Sequence, residues 1–137
     1  MSVLNDAARA VLQGTGLAHL VTLNPDGSPQ VSVVWVGLEG DELVTAHLGT
    51  YQKVRNVERD ARVALSIETG ETDPNGLNPY LVVHGTARVQ QGGAAALLDR
   101  LAQTYLGPGR AVAPPDPPPG YVLRITPERV GGVGPWR

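Results

Sequence analysis

The chain has 137 residues, a length typical of one domain with its own hydrophobic core. It is 42% hydrophobic and 18% charged, which is typical of a globular protein and excludes a disordered one. The net charge of −2 argues against general nucleic-acid binding, and the absence of cysteine excludes disulfides, thiolate metal sites and a cysteine nucleophile. With no signal-peptide pattern and no long apolar run, we expect a soluble cytoplasmic protein.

The first third of the chain predicts a helix and a hairpin. Residues 5–13 place apolar side chains at helical spacing, with Asn5 as the N-cap and Gly14 as the stop. Two apolar runs, 17–23 and 29–36, flank Asn24-Pro25-Asp26-Gly27. Proline presets one turn dihedral and glycine accepts a positive one, so this segment predicts a β-hairpin.

The rest of the chain alternates strands with turns, loops and two further helices. We expect strands over 42–48, 61–67, 80–89 and 121–125, turns or loops over 37–41, 70–79 and the proline-rich segment 108–119, and helices over 50–60 and 93–106. Thr50 is placed to cap the first of these helices, and Gly85 indicates a bulge or a close backbone approach. The second helix places Ala96, Leu97, Leu101 and Tyr105 on one face.

These elements make one domain, residues 1–137, that is mainly β. Six antiparallel strands with short flanking helices favour a closed or nearly closed barrel, because closure removes exposed strand edges.

Lys53 is the only lysine in the chain and lies beside Arg55 in a short basic segment. A helix beginning near Thr50 would present free backbone N–H groups and the positive end of its dipole at this point. The segment therefore predicts a site for a compact anion such as a cofactor phosphate. The alternative is a solvated helix face, which is the usual fate of a run of charges.

Other candidate chemistry has weaker support. His19, His47 and His84 each lie on a predicted strand without a metal-ligand spacing, so we expect no metal site. No nucleophile elbow surrounds a serine, and the glycines near the C-terminus do not join a strand to a helix. Trp35 and Trp136 could stack on a planar ring, although core or interface packing is more common. For Trp136 we expect docking onto a partner subunit.

Several segments resemble the split-barrel flavin and deazaflavin oxidoreductases related to pyridoxamine 5′-phosphate oxidase. These segments are residues 20–32, the run 45–63 with Gln52-Lys53-Val54-Arg55-Asn56, and Gly85-Thr86-Ala87. The basic run and the ending 129–137 look more like the branch that uses the deazaflavin coenzyme F-420 than like the FMN-dependent oxidase. Tyr51 departs from the family, which often has a small or polar residue there.

The resemblance implies a six-stranded split barrel of the FMN-binding type that forms a homodimer with cofactor sites at the subunit interface. It assigns the phosphate end of the cofactor to Gln52, Lys53 and Asn56, with Arg55 nearby. It also implies that the ribityl chain and ring are approached by Gln30, Ser32, Val33 and Thr45, and that Trp136 and Arg137 enter from the other subunit. No catalytic side chain is implied, because the cofactor carries the chemistry.

Three functions remain open. The first is an F-420-dependent reductase of an activated small molecule, and the second is an FMN-dependent oxidoreductase on the same fold. The third is a non-catalytic carrier of a flavin, deazaflavin or tetrapyrrole. The physiological substrate does not follow from the sequence.

Overall fold

A computed structural model describes residues 2–137 and contains one sheet flanked by three helices. The elements in chain order are α1 (Asp6–Leu12), β1 (Ala18–Leu23), β2 (Pro29–Val34), β3 (Gly37–Glu39), β4 (Glu42–His47), α2 (Gln52–Arg59), β5 (Arg62–Glu68), β6 (Tyr80–Gln91), α3 (Ala94–Tyr105) and β7 (Tyr121–Val133). None of the helices within residues 2–137 is long and apolar enough to cross a membrane.

All strand pairs are antiparallel, and the sheet order is β2-β1-β5-β6-β7-β4-β3. The sheet has seven strands, so the prediction of six was wrong by one. The extra strand is β3, which occupies part of the predicted turn 37–41 and pairs with β4 from Gly37↔Val44 to Glu39↔Glu42. A three-residue strand next to a glycine turn carries too little periodicity to be recognised in advance.

The connection between β2 and β3 makes the sheet curl. These two strands form opposite edges of the sheet, yet only Trp35 and Val36 separate them in the chain. Three residue steps span at most about 11 Å, whereas the edges of a flat seven-stranded sheet would lie roughly 29 Å apart at the usual strand spacing. The sheet therefore bends round until its edges nearly meet, as expected for a barrel that is not fully hydrogen-bonded.

The inside of the curled sheet holds the main hydrophobic core. Its largest fully buried side chains include Leu20, Leu43, Leu65, Leu81 and Leu123. Helices α1 and α2 add Ala8, Leu12, Val54 and Val57 to the same cluster. Helix α3 lies against the other face of the sheet, where Leu97 and Leu101 pack on Val44 and Val122.

The local predictions around α1, the hairpin and Gly85 are confirmed. Asn5 caps α1 by accepting a hydrogen bond from the backbone N–H of Ala8 at 2.9 Å. Strands β1 and β2 pair across the predicted turn, where Gly27 has φ +85°. The β6–β7 register shifts between His84 and Gly85, and a Cβ on Gly85 would overlap the carbonyl oxygen of Thr126.

Two helix details were wrong. Thr50 does not cap α2, because the N-cap position is occupied by Tyr51, whose side chain makes no capping hydrogen bond. The Thr50 hydroxyl instead donates to the Tyr121 hydroxyl at 3.2 Å. Ala96 does not belong to the buried face of α3, which is formed by Ala94, Leu97, Leu101 and Ala102.

Candidate functional site

A cavity of about 470 Å³ lies where α3, the ends of β2 and β4 and the start of α2 meet. Apolar side chains form most of its wall, and Trp35, His47, Tyr51 and Lys53 supply its aromatic and polar groups. Trp35 is held by stacking on Tyr105 with ring centroids 5.1 Å apart. A pocket that is mostly apolar, with a few placed polar groups, is the usual form of a small-molecule site.

Lys53 brings the only lysine of the chain to this cavity. Its Nζ donates to Ser32 Oγ at 3.4 Å and lies 5.4 Å from the centroid of the Tyr51 ring. Lys53 takes part in none of the ion pairs within residues 2–137. Partial burial lowers the pKa of Lys53, because desolvation disfavours the charged form. A partly desolvated ammonium without a counter-ion is suited to bind an anionic ligand.

The N-terminus of α2 lies beside Lys53. No side chain caps this end of the helix, and Arg55 N–H and Val54 N–H both donate to the Tyr51 carbonyl. The exposed guanidinium of Arg55 donates to the Thr50 carbonyl and to Gln52 Oε1, each at 2.9 Å. Uncapped N–H groups and the helix dipole add to the positive potential around Lys53.

Asn56 is completely buried and joins α2 to the β1–β2 hairpin. Its Nδ2 donates to Thr22 Oγ1 and to Asn24 Oδ1, both at 3.0 Å, and its Oδ1 accepts from Gln52 Nε2 at 2.8 Å. Because no part of its side chain is accessible, the role implied for Asn56 as a phosphate contact does not fit this geometry. Asn56 instead positions the helix that carries Lys53.

The strand residues named from the sequence have different surroundings. Ser32 accepts a hydrogen bond from Lys53, and the exposed Val33 lines the cavity. Gln30 lies two residues before Ser32 in β2 and accepts from Thr22 Oγ1 at 3.3 Å. Thr45 is completely buried and is not among the residues that line the cavity. Its hydroxyl lies 2.7 Å from Nε2 of His47, which does line the cavity.

The two C-terminal residues lie away from this cavity. Trp136 is 4% exposed, packs in the core of its own chain and donates from Nε1 to the Tyr80 carbonyl at 2.9 Å. The expected docking of Trp136 onto a partner subunit was therefore wrong, since the indole is already buried. Arg137 is exposed and donates to the Val130 carbonyl at 3.4 Å.

His47 and Tyr51 were not recognised as site residues from the sequence. Their rings make an edge-to-face contact with centroids 6.4 Å apart, and both line the cavity. The sequence does contain one indication of His47. Thr45 is a candidate cofactor contact, and residues two apart in a strand share a face. Burial, and then the charge of Lys53, lowers the pKa of His47 to about 3, so this imidazole is neutral at physiological pH.

The curled sheet and its cavity define a mainly β, antiparallel protein with a pocket lined by apolar side chains, aromatic rings and one ammonium group. A family model described as pyridoxamine 5′-phosphate oxidase matches residues 4–134, and the chain belongs to this family. The resemblance found in the sequence is thereby confirmed. No curated protein matches the chain.

Solved structures show the same fold. An F-420 reductase has a TM-score of 0.73 and 28% identity, with 90% of this chain and 94% of that chain covered. HupZ from Group A Streptococcus has a TM-score of 0.68 and 20% identity, covering 97% and 96%. A conserved hypothetical protein from Mycobacterium tuberculosis has a TM-score of 0.72 and 20% identity, covering 97% and 84%. The last two likenesses concern the fold alone.

Proposed function

We propose that this protein is an oxidoreductase that binds the deazaflavin coenzyme F-420 and transfers hydride between it and an activated small molecule. The observation that carries the proposal is Lys53, a partly buried ammonium that lines a mostly apolar cavity and makes no ion pair within residues 2–137. The likeness to an F-420 reductase at 28% identity supports this cofactor over others.

The described residues fit such a cofactor. Lys53 and Ser32 would hold its phosphate end, with the uncapped start of α2 adding positive potential. The apolar wall would exclude water from the ring, and Tyr51 and Trp35 offer aromatic surfaces beside it. The cofactor supplies the hydride when bound, while the chain binds, orients and shields it.

An FMN-dependent oxidoreductase is the second candidate, because the same cationic position would accept the FMN phosphate. A non-catalytic carrier on this fold is the third. We further propose that the protein is a homodimer and that its partner subunit completes the cofactor site. The exposed apolar side chains of Val31 and Val33 on edge strand β2 support this assembly.

Titration of the purified protein with F-420 and with FMN, followed by fluorescence, tests the cofactor. We expect saturable F-420 binding that is tighter than FMN binding. Oxidation of reduced F-420 is then followed with a panel of electron-poor acceptors. Binding of FMN alone would overturn the leading proposal, and tight F-420 binding without turnover of any acceptor would favour a carrier.

A further inference from the structure

His47 is the least exposed polar residue of the cavity wall, at 4%. It ends β4, contacts the Tyr51 ring edge-to-face and lies with its Nε2 2.7 Å from Thr45 Oγ1. This contact leaves two possible tautomers. Either the Thr45 hydroxyl donates to Nε2 and the ring proton is on Nδ1, or Nε2 carries the proton and donates to Thr45.

The surroundings of Thr45 decide between the two tautomers. Thr45 is completely buried, and within residues 2–137 its hydroxyl bonds to no atom other than His47 Nε2. If Nε2 donated, the Thr45 hydroxyl proton would be buried without an acceptor, which is unfavourable because the hydroxyl would lose its hydrogen bond to water without gaining another. The hydroxyl of Thr45 therefore donates, Nε2 accepts, and the ring proton is carried by Nδ1.

The position of Nδ1 follows from a second observation. Every buried side-chain nitrogen or oxygen within residues 2–137 has a hydrogen-bond partner, whereas no protein atom there bonds to His47 Nδ1. Nδ1 is therefore not fully buried, and His47 is one of the residues that line the cavity. The N–H of Nδ1 is thus a donor that bonds to no other protein atom within residues 2–137, and the open space beside His47 is the cavity.

The charges around the ring keep this donor neutral. Lys53 and the Tyr51 phenol are the other titratable groups that line the cavity, and no carboxylate lines it. Burial and the nearby ammonium both lower the pKa of His47. A neutral imidazole donates from one nitrogen only, so the Thr45 hydroxyl determines which nitrogen that is.

We propose that His47 Nδ1–H is a fixed hydrogen-bond donor to a ring carbonyl oxygen of the molecule held in the cavity, and that Thr45 is the positioning residue that sets its tautomer. The choice of a ring carbonyl rests on the proposed function, because both F-420 and FMN carry carbonyl oxygens on their pyrimidine ring. The cavity then recognises two features of one ligand: an anionic group at Lys53 and a neutral acceptor at His47.

Nitrogen-15 NMR of histidine-labelled protein without ligand tests the tautomer directly. The His47 signal is assigned by its loss in His47→Gln, with His19→Gln and His84→Gln identifying the other two. We expect a neutral ring protonated on Nδ1 from pH 5 to pH 8. In Thr45→Val this preference should be lost, and in Thr45→Ser it should return. A ring protonated on Nε2, or one that titrates within this range, would overturn the proposal.

Affinity for F-420 and FMN, measured by fluorescence titration, tests the acceptor. An asparagine amide places its nitrogen near the position of Nδ1, whereas a glutamine amide reaches the position of Nε2. We expect His47→Gln to weaken binding of the preferred cofactor about tenfold and His47→Asn to weaken it less. Equal affinity of His47→Gln and the wild type would overturn the carbonyl contact.

The two proposals fail in different ways. Wild-type protein that binds neither cofactor would overturn the proposed function and the carbonyl contact together, while the NMR experiment would still decide the tautomer of His47. Circular dichroism and thermal melting of each variant show whether its fold is retained. A variant that fails to fold is replaced by Thr45→Val, which changes the tautomer without altering the ring.

Discussion

Lys53 is held at the cavity by its position on α2 and by Ser32, and no acidic residue within residues 2–137 pairs with it. We expect Lys53→Ala to weaken cofactor binding at least tenfold, because the ligand would lose its only ammonium contact. The free energy of unfolding should change by less than about 1 kcal/mol, since a partly solvated cation contributes little to stability.

Fluorescence titration and urea denaturation measure the two quantities for Lys53→Ala. Arg110→Ala is the matched control, because it removes an exposed cation from the proline-rich segment. Lys53→Arg keeps the charge but changes the donor geometry, so an intermediate affinity is expected. Unchanged affinity in Lys53→Ala would return this residue to the alternative of a solvated helix face.

The buried imidazole of His47 makes stability depend on pH. Its pKa is about 3 in the folded chain and near the ordinary histidine value of 6.5 when unfolded. Between these values the unfolded chain binds more protons than the folded one, so the free energy of unfolding falls as pH falls. The decrease approaches about 1.4 kcal/mol for each pH unit below 6.5.

Urea denaturation of wild type and His47→Gln at pH 6.5, 5.5 and 4.5 measures this contribution. As pH falls, the unfolding free energy of the wild type should decrease more than that of His47→Gln. A constant difference across this range would show that His47 is protonated at similar pH in the folded and unfolded chains.

Local sequence was sufficient to find some residues of the site and insufficient for others. The lone lysine and the helix around it were recognised because both are properties of adjacent residues. The burial of Asn56 depends on contacts between distant segments, such as its hydrogen bond to Thr22, which lies 34 positions away. Contacts between segments that are far apart in the chain produce no pattern in the local sequence, so they could not be predicted from it.

At the scale of elements, a buried amide is one of the groups that fasten α2 to the β1–β2 hairpin. Asn56→Ala would leave Thr22 and Asn24 without this donor and Gln52 without its acceptor. We expect the free energy of unfolding to decrease by about 2–4 kcal/mol, because buried polar groups would lose their partners. Urea denaturation measures the loss.

Glu58→Ala is the control for Asn56→Ala, because Glu58 lies on the exposed face of the same helix. It should change stability by no more than about 0.5 kcal/mol. If Asn56→Ala were equally mild, the amide would not fasten the helix, and a direct role of Asn56 in binding would regain support.

Helices and strands with the strongest patterns in their own sequence were predicted most accurately. The hairpin turn at Asn24-Pro25-Asp26-Gly27 contains both proline and glycine, and it formed where expected. Strand β7 runs to Val133, eight residues beyond the predicted end, because it pairs along the whole length of β6. Pairing with a distant partner thus extended a strand whose own sequence contains proline and glycines.

For the whole molecule, the outer face of the sheet is the clearest surface for a second copy. Cross-strand pairs place side chains other than Lys, Arg, Asp and Glu next to one another across four strands. These residues are Val31, Val33, His19, Val21, Ala64, Ser66, Val82 and His84. Val31 and Val33 are each 56% exposed. A continuous face without Lys, Arg, Asp or Glu is unusual for a surface that meets only water.

Val31→Glu tests the proposed dimer, because two buried like charges would oppose association. We expect sedimentation velocity to show a dimer for the wild type and a monomer for Val31→Glu, with weaker cofactor binding if the partner completes the site. Leu77→Glu adds the same charge to an exposed loop position and should remain dimeric. A monomeric wild type that binds the cofactor at full affinity would contradict the proposal.

The order of strands in the sheet also has a consequence for synthesis on the ribosome. Strand β4, which carries Thr45 and His47, is joined to the remainder of the sheet only through β7, and β7 begins at Tyr121. The side of the sheet that holds His47 therefore cannot complete its strand pairing until β7 has been synthesised. The wall of the cavity that carries His47 is thus among the last parts of the sheet to be assembled, and cofactor loading is expected to follow the synthesis of β7.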